Sequence, residues 1–257
     1  MSVLLEAKSV TMQFGGLKAV DAVDMAINQG EIRALIGPNG AGKTTLFNVI
    51  SGIYIPTGGQ VYLDGEEITK LRPHQVTARG IARTFQNLQL FNQLSSLDNV
   101  MVGRHIHTNS NIVSTFLHTP KMKFEEEKCR EESLEVLDFV GMSQYVETQA
   151  ANLPYGRKRV LEIARALASK PKIIMLDEPC AGMNPTEKED LMILIRKIRD
   201  SGVTVLLVEH NMRVAMGVSD MVTVLDYGKK ISEDVPEIVQ HDPLVIEAYL
   251  GKEEEEV

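Results

Sequence analysis

The stretch GPNGAGKTT, residues 37–45, constrains the fold of this chain more than any other feature. It follows the short apolar run IRALIG, which predicts a buried strand, and it opens TTLFNVISG, which predicts a helix. The spacing matches G-x-x-x-x-G-K-[ST], in which glycines let successive backbone N–H groups face phosphate oxygens. The alternative is a glycine turn with a solvated lysine, but the strand-to-helix context favours a phosphate-binding loop.

This loop supplies most of the candidate nucleotide ligands. Lys43 adds a positive charge near the β- and γ-phosphates, and the hydroxyl of Thr44 can bind Mg²⁺. The full set of candidate ATP-binding residues in the loop is Gly37, Pro38, Asn39, Gly40, Ala41, Gly42, Lys43, Thr44 and Thr45.

A second apolar run, KIIMLDEP, ends in two acids, Asp177 and Glu178. Ligands of open α/β sheets bind at the carboxyl ends of the strands, so these carboxylates are expected at the binding edge. We expect Asp177 to hold Mg²⁺, directly or through water, and Glu178 to act as the general base on an attacking water. Two surface acids at a strand end are the alternative. The chain shows no N/T-K-x-D motif, which argues against a GTPase.

The order of elements indicates the fold class. Apolar strands and helices alternate in the C-terminal part, with strands KIIMLDE, VTVLLVE and MVTVLD and a helix over 187–200. We expect a capping box of Thr186 and Glu189 at the start of this helix and a stop at Gly202. Such alternation predicts a parallel sheet covered on both faces. The fold predicted is α/β, a phosphate-loop NTPase core with an N-terminal antiparallel β region and an inserted helical subdomain.

The predicted division is one domain over residues 1–257, with a nucleotide-binding core at 1–86 and 171–257 and a helical subdomain at 87–170. Within the subdomain, residues 124–140 form an acidic amphipathic helix that ends near Gly141.

The stretch ANLPYGRKRVLEIARAL, residues 151–167, predicts a further amphipathic helix with Gly156 at its N-terminal mouth. Its apolar stripe consists of Val160, Ile163, Ala164 and Leu167. Its basic first turn, with Arg157, Lys158 and Arg159, is expected on or near the surface. A glycine before a helix N-terminus favours an anion, because unpaired N–H groups and the helix dipole point there.

Composition excludes several other classes. The net charge of −8 argues against broad nucleic-acid binding. Cys129 and Cys180 have no metal or redox spacing, so we expect a reducing compartment. The start of the chain lacks the features of a signal peptide, and no apolar run approaches the length of a membrane helix. The final KEEEEV is expected to be a solvated acidic tail.

Taken together, LPYGRKRVLEIARAL and the following KIIMLDEP resemble the ATP-binding subunit of ABC transporters, and the resemblance covers nearly the whole chain. It implies that Pro154, Tyr155 and Gly156 form the signature motif, which touches ATP held by a partner subunit. The anion at the helix that follows Gly156 is then the γ-phosphate of that ATP.

The resemblance also implies roles for single residues. Phe14 matches the aromatic residue that stacks on adenine, with a core strand residue as the alternative. Gln86 matches the glutamine that joins the metal site to the membrane subunits. His210 matches the switch histidine that contacts the γ-phosphate and positions Glu178. Asn184 lies in the loop that pairs across the dimer.

Two positions depart from the family pattern. Pro154 replaces a serine and Asn184 replaces an aspartate, and either change can weaken an ATP site. However, LPYG, AGMNP, VEHNM and EAYLG together are similar to the first of the two ATPase subunits in branched-chain, or hydrophobic, amino-acid importers. The rival hypotheses are an ABC ATPase of another machine, such as lipopolysaccharide export, and a catalytically weak regulatory subunit.

The importer hypothesis implies ATP and Mg²⁺ as cofactors and a peripheral location at the cytoplasmic face of the cell membrane. Its expected partners are transmembrane permeases, a second ATPase subunit (a copy or a paralogue) and, indirectly, a substrate-binding protein; nucleic acid is not expected. Leu88, Leu90 and Phe91, with Gln86, are expected near the permeases. A metal site at His105 and His107 is disfavoured, since no third ligand is apparent.

Overall fold

The structure, a computed structural model, describes residues 2–104 and 120–250. The strands are β1 (Val3–Phe14), β2 (Leu17–Asn28), β3 (Ile32–Ile36), β4 (Gly58–Leu63), β5 (Glu66–Glu67), β6 (Ile81–Arg83), β7 (Ile173–Asp177), β8 (Thr204–Val208), β9 (Met221–Asp226) and β10 (Lys229–Asp234). The helices are α1 (Lys43–Ile50), α2 (Pro73–Ala78), α3 (Ser96–Arg104), α4 (Pro120–Phe139), α5 (Tyr155–Leu167), α6 (Pro185–Asp200), α7 (Met212–Val218), α8 (Pro236–Val239) and α9 (Pro243–Leu250).

The strands of the described residues form two sheets. An antiparallel sheet has the order β2-β1-β4-β5, and a larger sheet has the order β10-β9-β3-β8-β7-β6. In the larger sheet, β9, β3, β8, β7 and β6 run parallel, while β10 pairs antiparallel at the edge. Every residue of β3, β7 and β8 is buried, as expected for parallel strands covered on both faces. The predicted fold class is confirmed.

Two apolar clusters lie on opposite faces of the larger sheet. One joins the antiparallel sheet and α1, with Phe47 fully buried, to side chains such as Met175 and Leu206. The other joins residues of α3, α4, α5 and α6 to the opposite face. Alternation of side chains along each strand delivers neighbouring residues to different clusters. The sheet is thereby fixed between two layers, and the carboxyl ends of its five parallel strands lie at the same edge.

The predicted helix bounds agree with the structure within a few residues, and two glycines mark helix ends. The acidic helix α4 extends to Pro120 at its start and ends at Phe139, and Gly141 follows with φ +72°. Helix α6 ends at Asp200, and Gly202 follows with φ +95°. Left-handed backbone of this kind is cheap for glycine and common just after a helix, so the predicted stop at Gly202 is confirmed.

The predicted capping box of α6 is wrong by two residues. Asn184 is the N-cap: its Oδ1 accepts from the Glu187 backbone N–H at 2.9 Å, and the Glu187 carboxylate accepts from the Asn184 backbone N–H at 3.0 Å. Thr186 and Glu189 lie inside the helix. Pro185 decides between the two boxes, because its fixed φ suits the first helical position directly after a cap.

Within residues 2–104 and 120–250, no helix is both long and apolar enough to cross a membrane. The His105 and His107 pair and the acidic tail at 252–257 lie outside the described residues.

Candidate nucleotide site

The loop between β3 and α1 is held in place by close backbone contacts. Gly37 has φ +147°, and a Cβ there would lie 2.1 Å from the Leu225 carbonyl oxygen. Gly42 has φ +100°, and a Cβ there would lie 2.2 Å from the Ala19 carbonyl oxygen. Backbone from β9 and β2 therefore packs directly against the loop, and no side chain fits at either glycine. Thr44 is exposed at the first turn of α1.

Lys43 lies across the loop that precedes it. Its Nζ donates to the carbonyl oxygens of Gly37 at 2.7 Å and Pro38 at 2.8 Å, and the side chain is 5% exposed. Burial lowers the pKa of the Lys43 ammonium, and the charge of Glu178 opposes this effect. An ammonium with this environment gains from a bound polyanion, because phosphate oxygens supply the counter-charge that the loop carbonyls only partly provide.

Glu178 carries the most unusual backbone of the site. It follows β7 with φ +47°, a left-handed conformation that costs a non-glycine residue free energy and persists only where its surroundings impose it. Its Oε1 lies 2.6 Å from Nε2 of His210, and its Oε2 accepts from Nε2 of Gln86 at 3.1 Å. The structure thus brings Gln86, Glu178 and His210 together, from three different strand ends.

Asp177 is buried at the end of β7, with 4% exposure. Its Oδ2 accepts from the Arg83 guanidinium at 2.9 Å. The candidate metal ligands Thr44, Gln86 and Asp177 offer a hydroxyl, an amide and a carboxylate oxygen, which is the donor type that Mg²⁺ prefers. In the described part of the chain no group of three His, Cys, Asp or Glu residues has a metal-binding arrangement. Mg²⁺ usually takes one or two carboxylates and completes its shell with water and substrate phosphates.

Glu209, which was not among the residues selected from the sequence, joins two loops of the site. It is 3% exposed, and its Oε1 accepts from the backbone N–H of Cys180 at 2.9 Å. Burial raises the pKa of Glu209, while hydrogen bonds from Cys180 and Asn211 oppose the rise. Burial also raises the pKa of the Cys180 thiol to about 12, so Cys180 is a packed and unreactive thiol. Because Glu209 immediately precedes His210, this hydrogen bond fixes the loop after Glu178 close to His210.

Phe14 is a surface residue and not part of the core. Its ring is 44% exposed and meets Tyr54 edge-to-face, with centroids 5.4 Å apart and an interplanar angle of 77°. No sequence motif identifies Tyr54 as part of the site. The pair leaves an aromatic face accessible near the start of the β1–β2 turn, which suits stacking on a planar base.

The signature residues contact α6 and the loop before it. Pro154 is the N-cap of α5, with φ −55°. Tyr155 is 43% exposed, and a Cβ at Gly182 would lie 3.1 Å from its Cε1. Gly156 is buried, and a Cβ there would lie 2.6 Å from Oε1 of Glu187. The first turn of α5 therefore packs closely against the N-terminus of α6, where Asn184 is the cap.

The expectation that all three basic residues of α5 lie near the surface is wrong for Arg159, which is 3% exposed. Its guanidinium donates to the carbonyl oxygens of Phe85 and Gln86 and lies 3.3 Å from the carboxylate of Glu162. Burial raises the pKa of Glu162, and hydrogen bonds from Phe85 and Gln89 with the charge of Arg159 oppose the rise. Arg159 and Glu162 together fix α5 to residues 85–89, which form the Gln86 segment.

The phosphate loop, the acidic strand end and the covered parallel sheet together define a nucleotide-binding α/β protein. The ABC transporter profile matches residues 20–181, and a branched-chain amino acid ATP-binding cassette transporter profile matches residues 229–255. The high-affinity branched-chain amino acid transport ATP-binding protein BraF of Pseudomonas aeruginosa is 43% identical over 250 residues, which cover 97% of this chain and 98% of BraF.

Two solved structures are also similar. A nucleotide-free ATP-binding cassette from an ABC transporter has a TM-score of 0.85 at 33% identity, covering 98% of this chain and all of the cassette. A dimeric cassette in a post-hydrolysis state bound to ADP and Pi has a TM-score of 0.76 at 27% identity, covering 91% of this chain and 99% of the other. This chain belongs to the ABC transporter family, among the ATP-binding proteins related to branched-chain amino acid transport.

Proposed function

We propose that this chain is the Mg²⁺-dependent ATPase subunit of an importer for branched-chain or other hydrophobic amino acids. The observation that carries the proposal is the Glu178 carboxylate, held between His210 and Gln86 at the edge of the sheet where Lys43 and Asp177 also lie. The similarity to BraF supports amino-acid import over the rival of lipopolysaccharide export.

Each residue of the site contributes a separate step. The phosphate loop, residues 37–45, binds the triphosphate, with Lys43 as its charged ligand. Thr44, Asp177 and Gln86 would hold Mg²⁺, which would supply positive charge against the phosphates. Glu178 accepts a proton from the attacking water, and His210 fixes the carboxylate at its Oε1. Phe14 stacks on the adenine.

The strained backbone at Glu178 supports this role over that of a surface acid. A left-handed glutamate needs surroundings that hold it, and such conformations cluster at functional sites. The presence of Lys43, Asp177, Glu178 and His210 argues against a catalytically weak subunit, even though Pro154 and Asn184 depart from the family pattern. Pro154 serves as the cap of α5, and Asn184 serves as the cap of α6.

We propose that two ATPase subunits close on ATP, with Pro154, Tyr155 and Gly156 of one facing the nucleotide of the other and Asn184 at the shared loop. The dimeric structure of the related cassette supports this arrangement. The same proposal includes the division of the chain into a core at 1–86 and 171–257 and a helical subdomain at 87–170. In this division α5 belongs to the subdomain, which therefore carries the signature residues.

The permeases are proposed to dock in a groove of about 350 Å³ beside the Gln86 segment. Arg83, Phe85, Phe91, Val102, Glu162 and Arg165 are among the residues that line it. Phe91 is 49% exposed, whereas Leu90 packs against the core, so these two of the three apolar residues predicted near the partner differ in role. Phe85 is next to Gln86 in sequence, is exposed and lines the same groove, so it gives a membrane subunit a contact linked to the site. We propose on the same grounds that the chain lies peripherally at the cytoplasmic face of the membrane.

Purified chain assembled with its permeases is expected to release phosphate from ATP only when Mg²⁺ is present. In vesicles that also hold a substrate-binding protein, the same ATP is expected to drive uptake of leucine. Absence of ATP hydrolysis by the assembled complex would refute the enzymatic proposal. Hydrolysis that drives lipopolysaccharide extraction but not leucine uptake would favour the rival.

Phe91→Asp is expected to lower co-purification with the permeases by about tenfold or more, because docking would then desolvate a carboxylate. ATP binding by the isolated subunit should stay unchanged. The Arg165 guanidinium lies 5.8 Å from the Phe91 ring centre, so it can pair with the new carboxylate in the free subunit. Phe124→Asp is the matched control, since Phe124 is 69% exposed on α4. Equal co-purification of both variants would contradict the docking surface.

A further inference from the structure

Arg83 connects the candidate metal carboxylate to the docking groove. It is the last residue of β6 and lies beside Met175 in the register with β7. Its Nη2 donates to Oδ2 of Asp177 at 2.9 Å, and both side chains are about nine-tenths buried, with 10% and 6% exposure. The same arginine lines the groove of about 350 Å³. Arg83 therefore contacts the site and is also part of the groove lining.

The rest of the Arg83 side chain is held by α1 and by aromatic rings. Its Nη1 donates to Oδ1 of Asn48 at 2.6 Å and to Oγ of Ser51 at 2.9 Å. The guanidinium carbon lies 4.8 Å from the Phe47 ring centre and 5.2 Å from the Phe85 ring centre. The buried Nε has no partner among the described residues. The guanidinium thus stays partly unsatisfied while it compensates the charge of Asp177.

This arrangement has an electrostatic consequence for the nucleotide site. Asp177 therefore has a cationic partner as long as Arg83 stays in place. A buried carboxylate that loses its only cationic partner is strongly unfavourable. A divalent cation that binds Asp177 competes with the guanidinium for the same carboxylate.

Resting on the proposed function, we propose that Arg83 is the positioning residue of Asp177, a built-in cation that holds the carboxylate and yields it when Mg²⁺·ATP binds. Release of Arg83 changes a wall of the docking groove, because the same side chain lines it. Metal binding and permease docking are thereby linked through one residue, two positions before Phe85 and three before Gln86.

The test compares the affinity for a fluorescent ATP analogue in EDTA with its affinity in excess Mg²⁺. Arg83→Met removes the charge and keeps an unbranched chain between the two rings. In EDTA, the uncompensated Asp177 carboxylate repels the triphosphate, while in Mg²⁺ the cation meets no competitor. The enhancement of affinity by Mg²⁺ is therefore expected to rise by about fivefold or more over wild type.

Arg79→Met is the matched control. Arg79 pairs with Glu66 at 2.8 Å in an exposed salt bridge four residues upstream, and its loss should leave the Mg²⁺ enhancement at the wild-type value. Arg83→Gln gives a second neutral variant that can still bond Asn48 or Ser51, and it decides the test if the methionine variant does not fold. An enhancement that stays within about twofold of wild type, or falls, overturns the proposal. Wild-type chain that binds the analogue in neither condition refutes the proposed function instead.

Discussion

Lys43→Ala is expected to weaken ATP binding by a factor on the order of 100, because two charge-assisted hydrogen bonds of about 1.5 kcal/mol each are lost. In the free chain Nζ bonds the carbonyl oxygens of Gly37 and Pro38, and bound phosphates would take these donors. Hydrolysis should fall with binding at ATP concentrations that do not saturate the variant. Equilibrium binding of a fluorescent ATP analogue measures the loss directly.

The control for this variant is Lys18→Ala. Lys18 is an exposed lysine on β2, paired with Asp21 at 3.0 Å, and it is the neighbour of Ala19, whose carbonyl oxygen packs against the loop. Its loss removes one positive charge from the same region and should leave ATP affinity within about twofold of wild type. Thermal unfolding of both variants shows whether the loop stays folded. Wild-type affinity in folded Lys43→Ala would contradict the assignment of the phosphate site.

The phosphate loop and the acids at the end of β7 were predictable because their signals are local. A motif of eight consecutive residues identifies the loop, and an apolar run that ends in Asp177 and Glu178 identifies the strand edge. The alternation of strands and helices was likewise sufficient for the sheet, since periodicity reports burial directly. The contact of Glu178 with His210 was predictable only from the family resemblance, because the two residues are far apart in sequence. The contact of Glu178 with Gln86 was not predicted.

Residues that act through distant contacts were missed or misplaced. Arg159 was expected near the surface because a charge in an amphipathic helix usually is, yet it binds carbonyl oxygens of a segment more than 70 residues away. Usable signals did exist for two residues. Arg83 ends an otherwise apolar strand, and Glu209 follows an apolar strand as Asp177 and Glu178 do. Polar residues at the carboxyl ends of parallel strands lie at the binding edge, and applying this argument to every strand identifies both Arg83 and Glu209.

Glu178→Gln is expected to hold the chain in an ATP-bound dimer. The change removes the base, while the amide can still contact His210 and Gln86. ATP therefore still binds but is not hydrolysed, and the ATP-bound state persists. Glutamine tolerates φ +47° about as well as glutamate, so the backbone strain at this position stays the same. Light scattering after size-exclusion chromatography should show a larger species with ATP than with ADP. The paralogous ATPase subunit must be included if the native pair is heteromeric.

Gly156→Asp in the same Glu178→Gln background is expected to abolish the ATP-dependent dimer, because a carboxylate would face the partner's γ-phosphate at close range. The structure adds a second effect, since a Cβ at Gly156 would lie 2.6 Å from Oε1 of Glu187 and that flexible side chain must move. Gly156→Ala separates the two effects: it displaces Glu187 equally but adds no charge, so much of the dimer should remain. ATP affinity of the monomer should be unchanged in both variants, since the phosphate loop is elsewhere in the chain. If a Gly156→Asp, Glu178→Gln chain still closed on ATP through this face, the signature assignment would be contradicted. If Gly156→Ala lost the dimer as completely as Gly156→Asp, the effect would be assigned to packing against Glu187.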